Sequence, residues 1–281
     1  MPNNNSPVCL ITGGTSGLGK ELVKHFIKKN FIVLTTGNTF NNGDDLINYY
    51  KKKNFLFIYK VDFCEKKNLD IFIRKLKKFK KIDILINNAG ILSFKKENNS
   101  LNINKMIFVN YFAHFYITIK LLKKIKNSKL KKIINISSHA HENSTIKIKE
   151  ILNTNKYDSW SIYKFSKILL IFFTYYISNH KSFKKIQCFS LNPGRINSNL
   201  GYQNNLIIRL LIKLYFIFFG SPPHVTAKRI INLILNHKEI NYNGKYITNF
   251  HLSKSKKITY IYELQKKVWE KSLNLFNIKK I

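Results

Sequence analysis

Short apolar runs rich in β-branched residues alternate with amphipathic stretches along almost the entire chain. Such alternation favours strands connected by helices, because a strand buried in a parallel sheet is apolar throughout whereas a helix on the sheet keeps one polar face. It predicts strands near residues 8–12, 31–36, 55–61, 82–87, 132–137, 186–192 and 244–248. It predicts helices near residues 18–29, 44–53, 66–79, 103–126, 158–178, 206–219, 223–236 and 260–275. The predicted fold class is α/β, a doubly wound parallel sheet of about seven strands with helices on both faces.

Nothing in the sequence divides the chain into separate domains. There is no internal repeat and no Pro/Ser-rich linker. A length of 281 residues is also normal for one large α/β domain that buries a full core. Residues 1–281 are therefore predicted to form a single domain.

A glycine-rich segment follows the first predicted strand directly. Residues 12–19 read Thr-Gly-Gly-Thr-Ser-Gly-Leu-Gly, and an amphipathic helix begins at their end. A strand, a glycine-rich turn and a helix in this order predict a Rossmann-type dinucleotide site. The glycines let the backbone approach a pyrophosphate, and the helix N-terminus offers N–H donors to it. A tight turn without a ligand is the alternative, since the spacing is Gly-x-x-x-Gly-x-Gly rather than the commoner Gly-x-Gly-x-x-Gly.

Polar residues also end three later strands. Asn87–Gly90, Ser137 with Ser138, and Asn192–Gly194 each follow an apolar run. In an open parallel sheet, ligands bind in the crevice outside the carboxyl ends of the strands. The ends of these three strands and of the first predicted strand are therefore expected to line one crevice.

Tyr163 and Lys167 stand four residues apart on a predicted helix. This spacing puts both side chains on one helical face. A free tyrosine has a pKa near 10, and a positive charge nearby favours the phenolate. The pair is thus a candidate acid/base centre in which Lys167 lowers the pKa of Tyr163, although such pairs also arise by chance on many helices.

Together these segments resemble the short-chain dehydrogenase/reductase family, with all of them in the family's order. The matching residues are Thr12 to Gly19, Asp62, Asn87 to Gly90, Asn110, Ser138, Tyr163 with Lys167, and Pro193 with Gly194. Residues 108–115, 137–141, 244–247 and 264–269 are similar to the retinol-dehydrogenase-like branch. The resemblance extends from about residue 8 to 276. It implies a dinucleotide-binding part at 8–194 and a substrate lid with a C-terminal part at 195–281.

The resemblance also implies roles for individual residues. Tyr163 is expected to be the catalytic acid/base, Lys167 to lower its pKa and bind the nicotinamide ribose, and Ser138 to hydrogen-bond the substrate oxygen. Asn110 is expected to complete a proton relay through a bound water. The expected cofactor-binding residues are Gly13, Thr15, Ser16, Gly17, Leu18, Gly19, Asp62, Asn88, Ala89, Gly90, Tyr163, Lys167, Pro193, Gly194, Ile196 and Ser198. The nearby histidines, His114, His139 and His141, are interpreted as structural or substrate-facing, and no metal is expected.

The expected reaction is hydride transfer between a nicotinamide cofactor and a small apolar aldehyde, ketone or alcohol. Relatives that prefer NAD(H) carry an acid after the second strand, and those that prefer NADP(H) carry an arginine. Residues 35–38 read Thr-Thr-Gly-Asn, so neither is present, and the missing acid favours NADP(H) with NAD(H) as the alternative. A non-catalytic nicotinamide-nucleotide-binding regulatory protein on the same fold is the other hypothesis.

Residues 206–219 are almost entirely apolar but include Arg209 and Lys213. This segment of 14 residues is too short for a bilayer span, which needs about 20. The resemblance implies an apolar lid over the substrate, whereas the basic residues are compatible with a helix lying on a membrane surface.

The formal net charge of +35 is spread over every predicted helix. The abundant Lys, Asn, Ile, Phe and Tyr share A/T-rich codons, so no specific nucleic-acid partner is expected. The three cysteines are odd in number and lack metal-ligand spacing, which indicates free thiols. Residues 1–7 carry no apolar leader, so a cytoplasmic protein is expected, with membrane association through 206–219 and a homodimer as further expectations.

Overall fold

The computed structural model describes residues 6–37, 50, 52–197, 200–201, 204–236, 240–279 and 281. Within them lies one eight-stranded sheet in the spatial order β3-β2-β1-β4-β5-β6-β7-β8. The strands are β1 (Val8–Ile11), β2 (Ile32–Gly37), β3 (Leu56–Lys60), β4 (Ile84–Asn87), β5 (Lys132–Ile136), β6 (Gln187–Asn192), β7 (Lys245–Thr248) and β8 (His251–Ser253). Neighbouring strands from β3 to β7 are parallel, and β8 is antiparallel to β7.

The doubly wound parallel sheet is confirmed, and each of the seven predicted strands is present. The predicted number of strands was too low by one, because β8 was not foreseen. Asn249 and Phe250 both have positive φ angles, 48° and 71°. Two successive left-handed residues form the tight turn that reverses a chain into a hairpin. Thr248 and His251 then pair across this turn.

The helices flank the sheet on both faces. They are α1 (Gly17–Lys28), α2 (Lys66–Lys75), α3 (Lys105–Ile107), α4 (Ala113–Lys126), α5 (Ser159–Asn179), α6 (Leu206–Phe219), α7 (Pro223–Leu235) and α8 (Tyr262–Leu275). The helix predicted at 44–53 lies for the most part outside the described residues. The helix predicted at 103–126 is divided, because a π-helical segment, Phe108–Phe112, separates α3 from α4.

Two large apolar cores among the described residues hold these layers together. One contains Phe26 of α1 and Ile230 of α7, and the other contains Phe72 of α2, Phe115 of α4 and Trp269 of α8. Continuously buried strands such as β1 and β4 separate the two cores. Because the carboxyl ends of parallel strands lie at one edge of the sheet, the loops after β1, β4, β5 and β6 gather there.

Candidate functional site

A cleft of about 1470 Å³ opens at this edge of the sheet. It lies where the strand order reverses between β1 and β4, the position at which ligands bind in open α/β sheets. The predicted site residues that line it are Gly13, Thr15, Ser16, Gly17, Leu18, Gly19, Asp62, Asn88, Ala89, Gly90, Ser138, Tyr163, Lys167, Pro193, Gly194 and Ile196. Of the remaining two, Asn110 is buried behind the cleft wall and Ser198 lies outside the described residues.

The glycine-rich loop forms the end of the cleft beside α1. Gly13 and Gly17 adopt positive φ angles of 68° and 51°, which side chains with a Cβ rarely tolerate. A Cβ at Gly19 would overlap the carbonyl oxygen of Gly13. Helix α1 starts at Gly17 and has no acidic residue in its first turn. Its N-terminal N–H groups and dipole therefore suit an anion such as a pyrophosphate.

The Thr12 hydroxyl joins this loop to the loop after β4. It accepts hydrogen bonds from the backbone nitrogens of Asn88 and Ala89, both at 2.9 Å. The Asn88 side chain donates in return to the carbonyl oxygen of Thr12 at 2.8 Å. The two loops thus form one rigid wall of the cleft.

Asn110 lies in the π-helical segment and is fully buried. Its Oδ1 atom accepts from the nitrogen of Ile91 at 2.8 Å, and its Nδ2 atom donates to the carbonyl oxygen of Ile91 at 3.0 Å. The same Nδ2 atom donates to the Ser166 hydroxyl at 3.0 Å, and this hydroxyl donates to the carbonyl oxygen of Tyr163 at 2.7 Å. Asn110 therefore fixes the chain after Gly90 and the backbone of the Tyr163 turn.

Helix α5 carries Tyr163 and Lys167 on the face that lines the cleft. The Asp158 side chain caps the helix by accepting from the nitrogen of Ser161. The Lys167 Nζ atom donates to the carbonyl oxygen of Ile136 at 3.2 Å. The Ser137 hydroxyl donates to the carbonyl oxygen of Lys167 at 3.0 Å. The end of β5 and the middle of α5 are thereby joined.

The pKa shifts of Tyr163 and Lys167 both favour the neutral form of the side chain. Burial raises the pKa of Tyr163 to about 12, and a hydrogen bond with Ser138 offsets part of this effect. Burial lowers the pKa of Lys167 to about 8. The net shift of the Tyr163 pKa is therefore upward, whereas a lowered pKa was predicted, and the contribution of Lys167 to this pKa stays a prediction. The physical reason is that both groups are almost fully buried, and desolvation disfavours either charge.

The far side of the cleft is apolar. Tyr215, Phe216 and Phe219 of α6 line it, and so does Trp160. The Trp160 ring stacks on Tyr163 with centroids 5.4 Å apart. The outward residues of α6 are exposed, among them Ile207, Leu210 and Phe218. No described helix is both long enough and apolar enough to cross a bilayer.

Sequence reasoning missed several residues of the site, among them Trp160, Ser166 and His114 as a hydrogen-bonding group. Ser166 could have been found, because it stands three residues after Tyr163 on the same helix. The other two carried no local signal. Among the described residues, no three His, Cys, Asp or Glu side chains are grouped so as to hold a metal ion.

The chain is similar to proteins of a single dehydrogenase family. A family model described as short chain dehydrogenase matches residues 7–206. Retinol dehydrogenase 11 of Mus musculus is 27% identical over 219 residues, which cover 76% of this chain and 69% of that protein. Polyprenol dehydrogenase of Homo sapiens is 24% identical over 291 residues, which cover 99% of this chain and 87% of that protein. A 4-hydroxyisoleucine dehydrogenase mutant complexed with NADH and succinate is 25% identical with a TM-score of 0.65, over 86% of this chain and 96% of that chain.

Proposed function

This chain belongs to the short-chain dehydrogenase family, on its retinol-dehydrogenase-like branch, and on that premise we propose that it interconverts an apolar alcohol and its aldehyde or ketone with a nicotinamide dinucleotide. One observation carries the proposal. Tyr163, Ser138 and Lys167 face the same cleft as the glycine-rich loop at the start of α1. An acid/base group and an anion-binding loop thus share one cavity, as a hydride-transfer enzyme requires.

The residues of the cleft fit the dinucleotide. Gly13 and Gly17 provide backbone conformations and free space that a side chain would remove. The pyrophosphate would be held by the backbone of Ser16–Leu18, and the nicotinamide end by Lys167, Pro193 and Gly194. A nicotinamide bound there supplies or accepts the hydride.

The preferred dinucleotide is NADP(H). β2 ends in Thr35, Thr36 and Gly37, so no acid stands on this strand to repel a 2′-phosphate. Asp62 is the one acidic side chain among the described residues that line the cleft, whereas Lys167, Arg195 and Arg229 line it as well. This charge balance favours the more anionic cofactor.

Tyr163 acts as the acid in carbonyl reduction. Its phenol is protonated at neutral pH, because its pKa is about 12, and it can therefore donate a proton to the substrate oxygen. Ser138 orients that oxygen by hydrogen bonding as negative charge develops on it. Lys167 supplies a positive charge behind the phenol, while Asn110 keeps the surrounding loop in place.

The substrate is apolar. Trp160, Tyr215, Phe216 and Phe219 form the cleft wall beyond Tyr163, and such rings bind hydrocarbon rather than polar groups. The relatives are named for retinol and polyprenol, which are apolar alcohols. An apolar alcohol or aldehyde is thus the substrate class that both observations favour.

The outer face of α6 rests on an anionic lipid surface. None of its 14 residues is buried, and a helix that is apolar on its outer face needs a cover. The sequence has no acidic residue between Asp158 and Glu239, so the surroundings are positively charged. A second copy of this chain would bring the same positive charge, whereas acidic phospholipids would neutralise it.

The test is turnover with NADPH and with NADH across a panel of apolar and polar aldehydes, ketones and alcohols. We expect higher kcat/KM with NADPH and with apolar substrates. Tight nucleotide binding without turnover of any substrate would favour the regulatory alternative. Sedimentation with vesicles of neutral and of acidic phospholipids tests the lipid contact separately, and binding to neither kind would contradict it.

A further inference from the structure

The imidazole of His114 lies between the glycine-rich loop after β1 and the π-helical segment that carries Asn110. His114 is fully buried on α4. Its Nε2 atom is 3.0 Å from the Thr12 hydroxyl, and its Nδ1 atom is 3.2 Å from the carbonyl oxygen of Asn110. One side chain therefore contacts both the loop after β1 and the π-helical segment.

The hydrogen-bond partners of Thr12 determine the tautomer of His114. The Thr12 hydroxyl already accepts from the nitrogens of Asn88 and Ala89. Because a hydroxyl has two lone pairs and one proton, it has only a proton left to give. The nearer acceptor is Nε2 of His114 at 3.0 Å, since the Ile86 carbonyl oxygen is 3.4 Å away. Nε2 thus accepts, and Nδ1 carries the proton that is donated to the Asn110 carbonyl.

Burial also determines the charge state of the His114 imidazole. Burial lowers the pKa of His114 to about 3, and the nearby Lys167 charge acts in the same direction. The imidazole is therefore neutral at neutral pH. A neutral ring with one donor and one acceptor suits its two partners, whereas a charged ring would meet the Thr12 proton with a second donor.

A continuous series of hydrogen bonds then links the nucleotide loops to the tyrosine. It runs from the Asn88 and Ala89 nitrogens to Thr12 at 2.9 Å, and from Thr12 to His114 at 3.0 Å. It continues from His114 to the Asn110 carbonyl at 3.2 Å, and from the Asn110 side chain to Ser166 at 3.0 Å. Ser166 finally donates to the Tyr163 carbonyl at 2.7 Å.

We propose that His114 is a positioning residue, which couples the dinucleotide-binding loops to the turn that carries Tyr163. The inference rests on the proposed function, because the coupling serves to align a bound nicotinamide with the acid/base group. The π-helical segment is the point of contact, and such segments are frequent at functional sites. His114 touches neither substrate nor cofactor in this role.

Three substitutions separate the two bonds of the imidazole. In His114→Asn the amide nitrogen takes the place of Nδ1 and keeps the bond to Asn110. In His114→Gln the amide takes the place of Nε2 and keeps the bond to Thr12. His114→Leu removes both. We expect His114→Leu to lower kcat about tenfold, because both bonds that position the Tyr163 turn are lost, with a smaller change in KM.

The matched control is His180→Leu, since His180 packs on Trp269 at 5.2 Å between ring centroids and is not part of the cleft. We expect His114→Asn and His114→Gln each to recover only part of kcat, because each keeps one of the two bonds that the coupling requires. Thr12→Val combined with His114→Leu should cost less than the two single losses added together, because both break the same series of bonds. Additive losses, or full kcat in His114→Leu, would overturn the proposal.

A spectroscopic test does not depend on catalysis. Imidazole nitrogen chemical shifts of the wild-type protein should show His114 as the Nδ1–H tautomer, unchanged between about pH 5 and pH 8. An Nε2–H tautomer or a titrating ring would overturn the proposal even if His114→Leu failed to fold. Absence of turnover in the wild type, with the Nδ1–H tautomer present, would contradict the proposed function and leave the hydrogen-bonded link standing.

Discussion

The Nζ atom of Lys167 lies 5.6 Å from the centre of the Tyr163 ring. It therefore lies over the ring of Tyr163, and its hydrogen bond goes to the carbonyl oxygen of Ile136. Burial moves the two pKa values in opposite directions, to about 12 for the phenol and about 8 for the ammonium. At neutral pH this gives a protonated acid beside a positive charge, an arrangement suited to carbonyl reduction.

Removal of the phenol oxygen tests the acid directly. We expect Tyr163→Phe to lower kcat by about 10² or more, because general acid catalysis typically contributes that much. The dissociation constant for NADPH should stay nearly the same, since the ring and its stacking on Trp160 remain. Steady-state kinetics and a fluorescence titration measure the two quantities. Tyr157→Phe is the control, because Tyr157 is not among the cleft residues, and equal kcat in both variants would refute the assignment.

The buried ammonium of Lys167 should make the folded protein less stable at neutral pH. Folding lowers its pKa from 10.5 to about 8, so the unfolded chain binds this proton more tightly. The penalty is fully present below the folded pKa and disappears as the pH rises toward the unfolded value. Lys167→Met should therefore raise the free energy of unfolding at neutral pH by as much as about 3 kcal/mol.

Urea unfolding at neutral and at alkaline pH measures this difference, which should shrink as the pH increases. Lys164→Met serves as the control, because Lys164 is a neighbouring lysine on α5 that is only partly buried. The carbonyl reduction rate of the wild type should also fall above the Lys167 pKa, as the positive charge is lost. A Lys167→Met difference that does not change with pH would contradict the prediction.

Substitution of Gly90 tests whether the cofactor fills the space beside Lys167. The atoms nearest to a methyl group there would be Asn110 Oδ1 and Lys167 Nζ, both at 3.5 Å, and Asn110 Cγ at 4.0 Å, and all three distances are ordinary contacts. We expect Gly90→Ala to fold with nearly unchanged stability but to bind NADPH more weakly. Gly19→Ala is the contrasting variant, since its methyl group would overlap the Gly13 carbonyl and disturb the loop itself. Unchanged NADPH affinity in a folded Gly90→Ala protein would locate the nicotinamide elsewhere.

The strands and most helices could be predicted because their signal is local. Each strand from β1 to β5 contains a short apolar run, and helix α6 has the bounds that the sequence indicated. Strand β8 has no such run, since its three residues are all exposed. It forms only because Asn249 and Phe250 turn the chain back along β7.

The features of the site that were missed depend on contacts between distant residues. The π-helical turn at Asn110 is bonded to Ile91 and Ser166, which are 19 and 56 positions away in sequence. The direction of the Tyr163 pKa shift depends on burial, which the spacing of Tyr163 and Lys167 does not reveal. Motif residues could thus be located from sequence, whereas the electrostatics required the packed structure.

Substitutions on the two faces of α6 are predicted to have different effects. Phe216 lines the cleft, whereas Phe218 is 76% exposed. Because residues two apart differ by about 200° around a helix, the same substitution at each samples opposite sides. Phe216→Ser should lower kcat/KM for apolar substrates about tenfold or more and spare small polar aldehydes, since burial of a Phe side chain is worth about 1.5–3 kcal/mol.

Phe218→Ser should leave kinetics with soluble substrates unchanged but weaken sedimentation with acidic vesicles. Each variant is the control for the other, because both remove the same side chain from one helix. Equal kinetic losses for apolar and polar substrates in both variants, with unchanged vesicle binding, would show that α6 is neither a lid nor a lipid contact.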